Sequence, residues 1–459
     1  MAIARELPEE ILADILRRLP PRGLAASRRV CRAWRDAVDA HQLLRADLLP
    51  RAVRGIFMNY CAMYRPEFFS RPNTGPAIWG DLEFIPGFWG VKDHCNGLLL
   101  GEATGGHLYV ANPATRRWAR LPRRPISRMG EAFPAPACLV YDPIASPHYE
   151  VFFVPILPYD VENRLGPEML QSEWPPSSYA LQVFSSLAGR WEERLFAREG
   201  CAAGLIGDMQ KCIRWGAGGH SAAYWRGALY FHQANASFIS VFMSNAEYKL
   251  IPVPTDVEFT TYGSFQLGRS EKGLYCAFSH DGHGLWIFFL DESCSQAVWV
   301  LKHRVDLKTF ARKLHAREGE YCDEELPEGP WILQNINDYK YPCGNDKEPI
   351  VEEKYEWNSD DDNVLDTDHM VEGNYQGYVG LLGFHPYKEV VFLDASLRRA
   401  IAYHWNTSKF QDLGNTFPKD YAEIAGHVAS IDTSFPYTPC WMEDFPETKW
   451  DARTESDKD

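Results

Sequence analysis

The chain has 459 residues, of which 45% are hydrophobic and 14% aromatic. This supply of apolar side chains excludes a chain that is disordered throughout, and it is sufficient for a large core. The formal net charge is −15, but residues 318–372 alone carry eighteen acidic and three basic side chains, which also gives −15. The rest of the chain is therefore close to neutral, and the overall acidity says little about its main surface.

Residues 6–38 are predicted to form two short helices separated by Pro20-Pro21. Pro8 suits the first turn of a helix because it lacks only an N–H that would have no partner there. Aliphatic residues then recur at helical spacing and predict an amphipathic helix, namely Ile11, Leu12, Ile15, Leu16 and Leu19. A second helical pattern follows Gly23 and aligns Leu24, Cys31, Trp34 and Val38. Because two helices this short make a poor core, we expect the module to need a partner.

The stretch LPEEILADILRRLP, followed by Leu24 and VCRAW, resembles the F-box. The resemblance covers about 45 residues, and we place the module at residues 3–48. It implies docking on the Skp adaptor of SCF-type ubiquitin ligases and, through the adaptor, assembly with cullin and RING subunits. The residues that the resemblance implies in adaptor binding are Leu7, Pro8, Ile11, Leu12, Ile15, Leu16, Leu19, Pro20, Leu24, Cys31 and Trp34.

Two other interpretations of this module stay open. The first is an ordinary helical hairpin that packs on its own domain. The second is a nucleic-acid surface, which a run of arginines suggests, but nearby Asp and Glu residues nearly balance that run. A solvated, charged helix face explains the arginines more simply, and we expect no nucleic-acid partner.

The chain beyond residue 55 repeats a loose theme of short strands with period-two patterning, separated by Gly, Pro, Asp, Asn and Ser. Copies of 30 to 63 residues lie at 95–124, 138–200, 219–254, 265–307 and 378–415. Units of this kind are typical of β-propeller blades, which bury their faces by stacking around an axis. The strand-like residues 55–60, with 79–90 and the stretch after 421, are predicted to complete a sixth unit and close the ring. The alternative architecture is a pair of stacked antiparallel sheets.

Three stretches in this region, VKDHCNGLLLG, NPATRRWARLP and YDP at 141–143, resemble the F-box-associated, kelch-like β-propeller domain of plant F-box proteins. The fold class we predict is therefore multidomain. A small all-α F-box module precedes an all-β domain at residues 55–430, which is expected to be a propeller of about six blades. A polar tail at 446–459 follows.

The acidic segment 318–372 is predicted to be a mobile insertion in the β domain, because it has few paired apolar positions. A calcium-binding loop is the sharper alternative. Residues 360–368 lack the glycine and glutamate that an EF-hand loop needs in register, so we expect no metal there.

No catalytic constellation stands out, because the P-loop, GxGxxG, GxSxG and HExxH motifs are all missing from the sequence. His280 and His283 are better explained by a turn than by a metal site. His94-Cys95 has no partner base nearby in sequence, which argues against a nucleophilic thiol. We therefore predict a non-catalytic protein with no catalytic residue, metal or cofactor.

The eleven cysteines are scattered, and no apolar stretch approaches the ~20 residues of a membrane span. Both observations favour an intracellular protein of the cytoplasm or nucleus that is not secreted and has no membrane partner. The predicted function is the substrate-recognition subunit of an SCF-type ligase, with an unidentified protein as its target. The alternative is a ligand-binding propeller, for example for glycans, with no ligase role.

Overall fold

The computed structural model describes most of the chain. The described residues are 8–19, 23–24, 27, 30–41, 43, 51–72, 78–126, 129, 132–158, 161–209, 220–233, 236–254, 265–280, 282–293, 297–318, 329–334, 357–370 and 377–442. A small helical region comes first, and a mostly β domain follows it.

The helices within these residues are short. They are α1 (Glu9–Leu16), α2 (Arg32–Ala40), α3 (Val161–Arg164), α4 (Pro167–Leu170), α5 (Ile206–Met209), α6 (Lys308–Glu318) and α7 (Tyr421–Ala425), with a 3₁₀ turn at Gly426–Val428.

Strands make up most of the remaining described structure. In chain order they are β1 (Gly55–Tyr60), β2 (Glu67–Ser70), β3 (Phe88–Cys95), β4 (Leu98–Ala103), β5 (His107–Asn112), β6 (Arg117–Arg120), β7 (Ala137–Tyr141), β8 (Tyr149–Phe153), β9 (Glu173–Trp174), β10 (Ser178–Ser185), β11 (Arg190–Glu199), β12 (Gly204–Leu205), β13 (His220–Trp225), β14 (Ala228–Gln233), β15 (Phe238–Met243), β16 (Glu247–Pro252), β17 (Phe265–Arg269), β18 (Leu274–His280), β19 (Gly284–Asp291), β20 (Val298–Asp306), β21 (Ile332–Leu333), β22 (Val379–Phe384), β23 (Val390–Ala395), β24 (Arg399–His404), β25 (Lys409–Asn415) and β26 (Ile431–Tyr437).

Most strands form antiparallel meanders of four. The first meander is β3–β6, the second is β7, β8, β10 and β11, the third is β13–β16, the fourth is β17–β20 and the fifth is β22–β25. The second and third meanders join into one eight-stranded sheet, because β11 and β16 pair in parallel. Tight turns connect successive strands. Asn96 and Gly97, both with positive φ, form the turn between β3 and β4, and a Cβ at Gly97 would lie 2.5 Å from the Cys440 nitrogen.

A further sheet brings the two ends of the β domain together. Its order is β21-β2-β1-β26, so β1 near the start of the domain pairs with β26 near the end. We call it the closing sheet. Residues 55–60 and the stretch after 421, which we expect to belong to the same unit, pair with each other through β1 and β26, whereas residues 88–90 of the expected part 79–90 belong to β3 in the first meander.

Neighbouring sheets share their buried cores in a continuous series. The shared cores include Leu100 with Val151, Leu181 with Phe231, Val241 with Cys276, Ile287 with Val391, Phe392 with Ile56, and Phe57 with Leu99. Ile56 and Phe57 are consecutive in β1 and point to opposite faces, as the two-residue period of a strand requires. One faces the fifth meander and the other faces the first, so the closing sheet links the last meander to the first.

The prediction that the acidic segment 318–372 is mobile is wrong for the residues of this segment that the structure describes. Trp331 and Trp357 are buried in the core between the fifth meander and the closing sheet, and β21 pairs with β2. The backbone N–H of Trp331 donates to the Leu413 carbonyl at 2.7 Å, and Val364 forms a β-bridge with Gln411. Residues 329–334 and 357–370 are therefore packed rather than mobile, because two large aromatic side chains anchor them. Residues 335–356 lie outside the described part.

Candidate functional site

Helix α1 has a buried face and an exposed apolar face. Leu12 and Leu16 are almost fully buried, whereas Ile11, Ile15 and Leu19 remain 49%, 47% and 37% exposed. The buried face belongs to a small core of the helical module, made of Leu12, Ala13, Leu16, Leu24, Ala37, Val38 and Leu43. The module thus has a core of its own, and the exposed stripe is not needed to form it.

Helical geometry explains this division. At about 100° per residue, Ile11 and Ile15 lie about 40° apart, next to the arc of Leu12 and Leu16, and Leu19 follows in the turn after the end of α1. Glu10, Asp14 and Arg17 occupy the far side and are exposed. The apolar arc of α1 is therefore wider than the module can cover, and its outer part faces solvent.

The structure separates the predicted adaptor-binding residues into two groups. Leu12, Leu16 and Leu24 are core residues, so they support the module instead of offering a surface. Pro8, Ile11, Ile15, Leu19 and Cys31 are exposed, and Trp34 is half-buried against the core. Leu7 and Pro20 lie outside the described residues.

Two further observations concern the second helical pattern. The indole N–H of Trp34 is buried, and no acceptor lies within hydrogen-bond distance among the described residues. Val30 is 62% exposed, and we did not predict it as a site residue. The one sequence feature that points to Val30 as a site residue is its place in VCRAW, because helical spacing alone does not select it.

The arginines of the module belong to charged, exposed faces. Arg17 pairs with Asp14 one turn away, and Arg32 lies 3.7 Å from Asp36 across one turn of α2. Such exposed pairs at i,i+3 and i,i+4 contribute only a few tenths of a kcal/mol, about 0.3–0.5. Arg17 and Arg32 are therefore solvated side chains, each paired with a neighbouring carboxylate.

Arg51, a few residues after the module, contacts the β domain. Arg51 forms an ion pair of 2.6 Å with Glu271, and its guanidinium lies 5.5 Å from the ring centroid of Tyr387. Arg269, at the end of β17, also lies near Tyr387 and donates to the Asn96 side chain. Asn96 in turn donates to the Tyr141 carbonyl at 2.6 Å. These contacts join the ends of several first strands at the place where the chain enters the domain.

The surroundings of His94 and Cys95, considered above as a nucleophilic site, differ from those of a catalytic pair. Burial raises the pKa of the Cys95 thiol to about 12, so the thiol keeps its proton at neutral pH. Burial, with Arg269 nearby, lowers the pKa of His94 to about 4. Within the described residues no group of three His, Cys, Asp or Glu side chains is placed to hold a metal ion.

Comparison with known proteins gives an assignment for the helical module. Residues 4–46 match the family described as F-box-like. The chain carries an F-box-like domain at its N-terminal end. A protein of Arabidopsis thaliana named as a candidate F-box protein is 30% identical over 110 residues, which cover 22% of this chain. The aligned part spans only 29% of that relative's length.

Similar solved structures cover much of the chain at low identity. YCF48 from Cyanidioschyzon merolae covers 79% of this chain and 86% of its own, with 10% identity and a TM-score of 0.33. A streptogramin B lyase covers 77% and 74%, with 9% identity and a TM-score of 0.32. TM-scores this low do not establish a shared fold. No helix among the described residues has the length and apolar character needed to cross a membrane.

Proposed function

We propose that this protein is the substrate-recognition subunit of an SCF-type ubiquitin ligase. The F-box-like domain docks on a Skp-type adaptor and, through it, on the cullin and RING subunits. The β domain holds the protein to be ubiquitylated. The chain itself is non-catalytic and acts in the cytoplasm or the nucleus.

The observation that carries this proposal is the exposed stripe of Ile11, Ile15 and Leu19 within an F-box-like domain. A small module that already has a core gains nothing for its own folding from three exposed aliphatic side chains. Their burial against a partner would remove this apolar surface from water. Pro8, Val30 and Cys31 are exposed as well, and we propose them as neighbouring contacts.

For the β domain we propose a six-bladed propeller of the F-box-associated, kelch-like type. The series of shared cores that passes through the five meanders and the closing sheet supports this architecture. A rigid ring of sheets with variable connecting loops suits recognition of another protein, because binding residues usually lie on loops held by a fixed scaffold.

The decisive experiment compares a double variant with a single variant, and aspartate is the introduced residue in both. Ile11→Asp/Ile15→Asp places carboxylates on the exposed stripe, and Arg17→Asp places one on the opposite side of α1. Full-length variants are captured on immobilised Skp-type adaptor. We expect the double variant to lose capture and Arg17→Asp to keep it, with circular dichroism showing equal helix content in both.

Leu12 is a poor choice for this test because it belongs to the module core, and its replacement by Asp would unfold α1. Capture of Ile11→Asp/Ile15→Asp at the level of the unmodified protein would contradict the assigned surface. A second arm uses a chain without residues 1–50, which should keep its target but no longer support its ubiquitylation. Unchanged ubiquitylation would reject the receptor function and favour a binding protein with no ligase role.

A further inference from the structure

The first strands of the five meanders, together with β26 of the closing sheet, form a ring. In the order β3, β7, β13, β17, β22 and β26, each strand lies beside the next, and β26 lies beside β3. In this order β17 is three places from β3 in either direction, so the two strands stand on opposite sides of the ring. A side chain that connects their ends therefore crosses the axis of the ring.

Arg269 is such a side chain. It is the last residue of β17, and its guanidinium donates to the side chain of Asn96, in the turn after β3. The guanidinium also lies 6.0 Å from the ring centroid of Tyr387, which follows β22. Asn96 in turn donates to the carbonyl of Tyr141, at the end of β7. Arg269 therefore lies at one mouth of the ring, where the ends of four first strands meet.

No carboxylate among the described residues neutralises Arg269. Its guanidinium makes one hydrogen bond there, to Asn96, and no ion pair. Since a guanidinium has five N–H donors, most of them remain available to a ligand. The acidic side chains nearest in sequence to this mouth have other partners: Glu271 pairs with Arg51, Glu389 pairs with Lys272, and Asp142 accepts the Ile144 N–H within its own turn.

Two further polar groups at this mouth have no hydrogen bond to the part of the chain that the structure describes. They are the hydroxyl of Tyr387 and the ring nitrogens of His94, whose ring lies 5.5 Å from that of Phe435 in β26. Burial raises the pKa of Tyr387 and, with Arg269 nearby, lowers the pKa of His94, so both side chains are neutral at pH 7. Arg269, His94, Asn96 and Tyr387, which we call the axial cluster, therefore combine several hydrogen-bond donors with a single positive charge.

We propose that the axial cluster binds one carboxylate of the target protein. The planar guanidinium of Arg269 is able to donate two parallel hydrogen bonds to the two carboxylate oxygens, and the Tyr387 hydroxyl is a further donor. A single positive charge matches a carboxylate better than it matches a phosphate group, which carries a charge of about −2 at pH 7. The carboxylate belongs to an acidic side chain or to a chain terminus. The inference rests on the proposed function, since its ligand is the protein to be ubiquitylated.

The test uses the full-length protein with three small probes, and saturation-transfer difference NMR measures the binding. The α-amide of N-acetylglutamate presents a side-chain carboxylate, N-acetylglycine presents a terminal one, and N-acetylglutamine amide is the neutral control. We expect saturable binding of at least one carboxylate and no binding of the neutral amide. Arg269→Gln should weaken the binding about tenfold, because it removes a charged hydrogen-bond donor. The preferred carboxylate tells a side chain from a chain terminus.

Two variants accompany Arg269→Gln. Arg226→Gln is the matched control, because Arg226 is exposed in the corresponding turn after β13 and the change in charge is the same. Tyr387→Phe removes only a hydroxyl that makes no hydrogen bond to the described residues. This variant should keep the melting temperature of the unmodified protein and bind the carboxylate about threefold more weakly, so it tests the cluster even if Arg269→Gln fails to fold.

Several outcomes overturn the inference. They are no saturable binding of either carboxylate, equal binding of the neutral amide, equal losses in Arg269→Gln and Arg226→Gln, or unchanged binding in Tyr387→Phe. Inorganic phosphate that displaces the carboxylates at lower concentration would assign the mouth of the ring to phosphate instead. Adaptor capture by the same preparation tests the proposed function separately, so failure of the carboxylates to bind leaves that proposal standing.

Discussion

Trp331 and Trp357 meet edge to face in the core between the fifth meander and the closing sheet, with ring centroids 5.4 Å apart and ring planes at 88°. The two side chains come from opposite ends of the acidic segment. Trp357 also lies 5.9 Å from the ring of Phe392 in β23. The contact therefore ties both ends of that segment into the domain.

Trp357→Ala should lower the free energy of unfolding by about 3–5 kcal/mol, because it removes a large buried side chain and leaves a cavity. Replacement of residues 340–370 by a short linker should lower the melting temperature for the same reason. Asp368→Ala, at an exposed position of the same segment, is the control and should change stability little. Urea unfolding of the three variants measures the difference, and an unchanged midpoint in Trp357→Ala would contradict the packing described.

The buried ion pair of Arg399 and Asp412 predicts a large, non-additive effect. Two N–H groups of Arg399 donate to the two carboxylate oxygens of Asp412 at 2.8 Å, and both side chains are less than a tenth exposed. Asp412→Ala should cost about 3–5 kcal/mol, because it leaves a buried guanidinium without its counter-ion. Arg399→Leu/Asp412→Leu should cost less than the sum of the two single changes.

A double-mutant cycle in urea measures this coupling. The exposed pair of Lys388 and Asp360 is the control, and Asp360→Ala should cost less than about 1 kcal/mol. Additive effects at Arg399 and Asp412 would mean that the two side chains do not act as a pair.

Acid should destabilise the β domain through His385. Its Nδ1 accepts N–H hydrogen bonds from Tyr387 and Lys388, and burial, together with the nearby Lys388, lowers its pKa to about 3. The unfolded chain then binds more protons than the folded chain between pH 3 and 6.5. The stability is complete above pH 6.5 and is lost as the pH falls toward 3, with a loss of about 2 kcal/mol between pH 7 and pH 5.

His385→Asn keeps an acceptor for the two N–H groups and removes the titrating ring. The variant should therefore lose about 2 kcal/mol less than the unmodified protein between pH 7 and pH 5. His427→Asn, at an exposed position, should follow the unmodified protein. Denaturant unfolding at pH 7 and pH 5 measures this loss of stability. An equal loss in all three proteins would contradict the role of His385.

Loss of β26 should open the domain. A chain that ends at Ser430 lacks the strand that pairs with β1 from Gly55 to Tyr60, and it exposes the apolar faces of Phe57 and Tyr60. We expect loss of cooperative thermal unfolding and binding of a hydrophobic dye. A chain that ends at Met442 keeps β26 and should unfold as one transition; if the shorter chain does so as well, the closing sheet is not required.

The periodicity of the sequence predicts the two helices of the N-terminal module and most strands, because these patterns are local, but it does not predict helices α3 to α7 within the β domain. It does not predict how the apolar arc of α1 divides between core and surface, since that depends on where Leu24 and Val38 pack in three dimensions. The sequence pattern does not predict strand β3, because two register shifts, near Gly90 and Lys92, break the alternation of buried and exposed side chains along it. Strand β21 has two residues and exists through its pairing with β2, more than 250 residues away in sequence.

The pairing of β1 with β26 also sets the timing of events during protein synthesis. The ribosome adds about 5–20 residues per second, so β1 leaves it roughly 20 to 75 seconds before its partner has been made. The F-box-like domain, which has its own core, is complete before any meander has been made. Under the proposed function, a nascent chain is therefore able to engage the adaptor before β26 has been made, and a premature stop codon between the end of the F-box-like domain and residue 431 yields a fragment that keeps this domain but lacks β26.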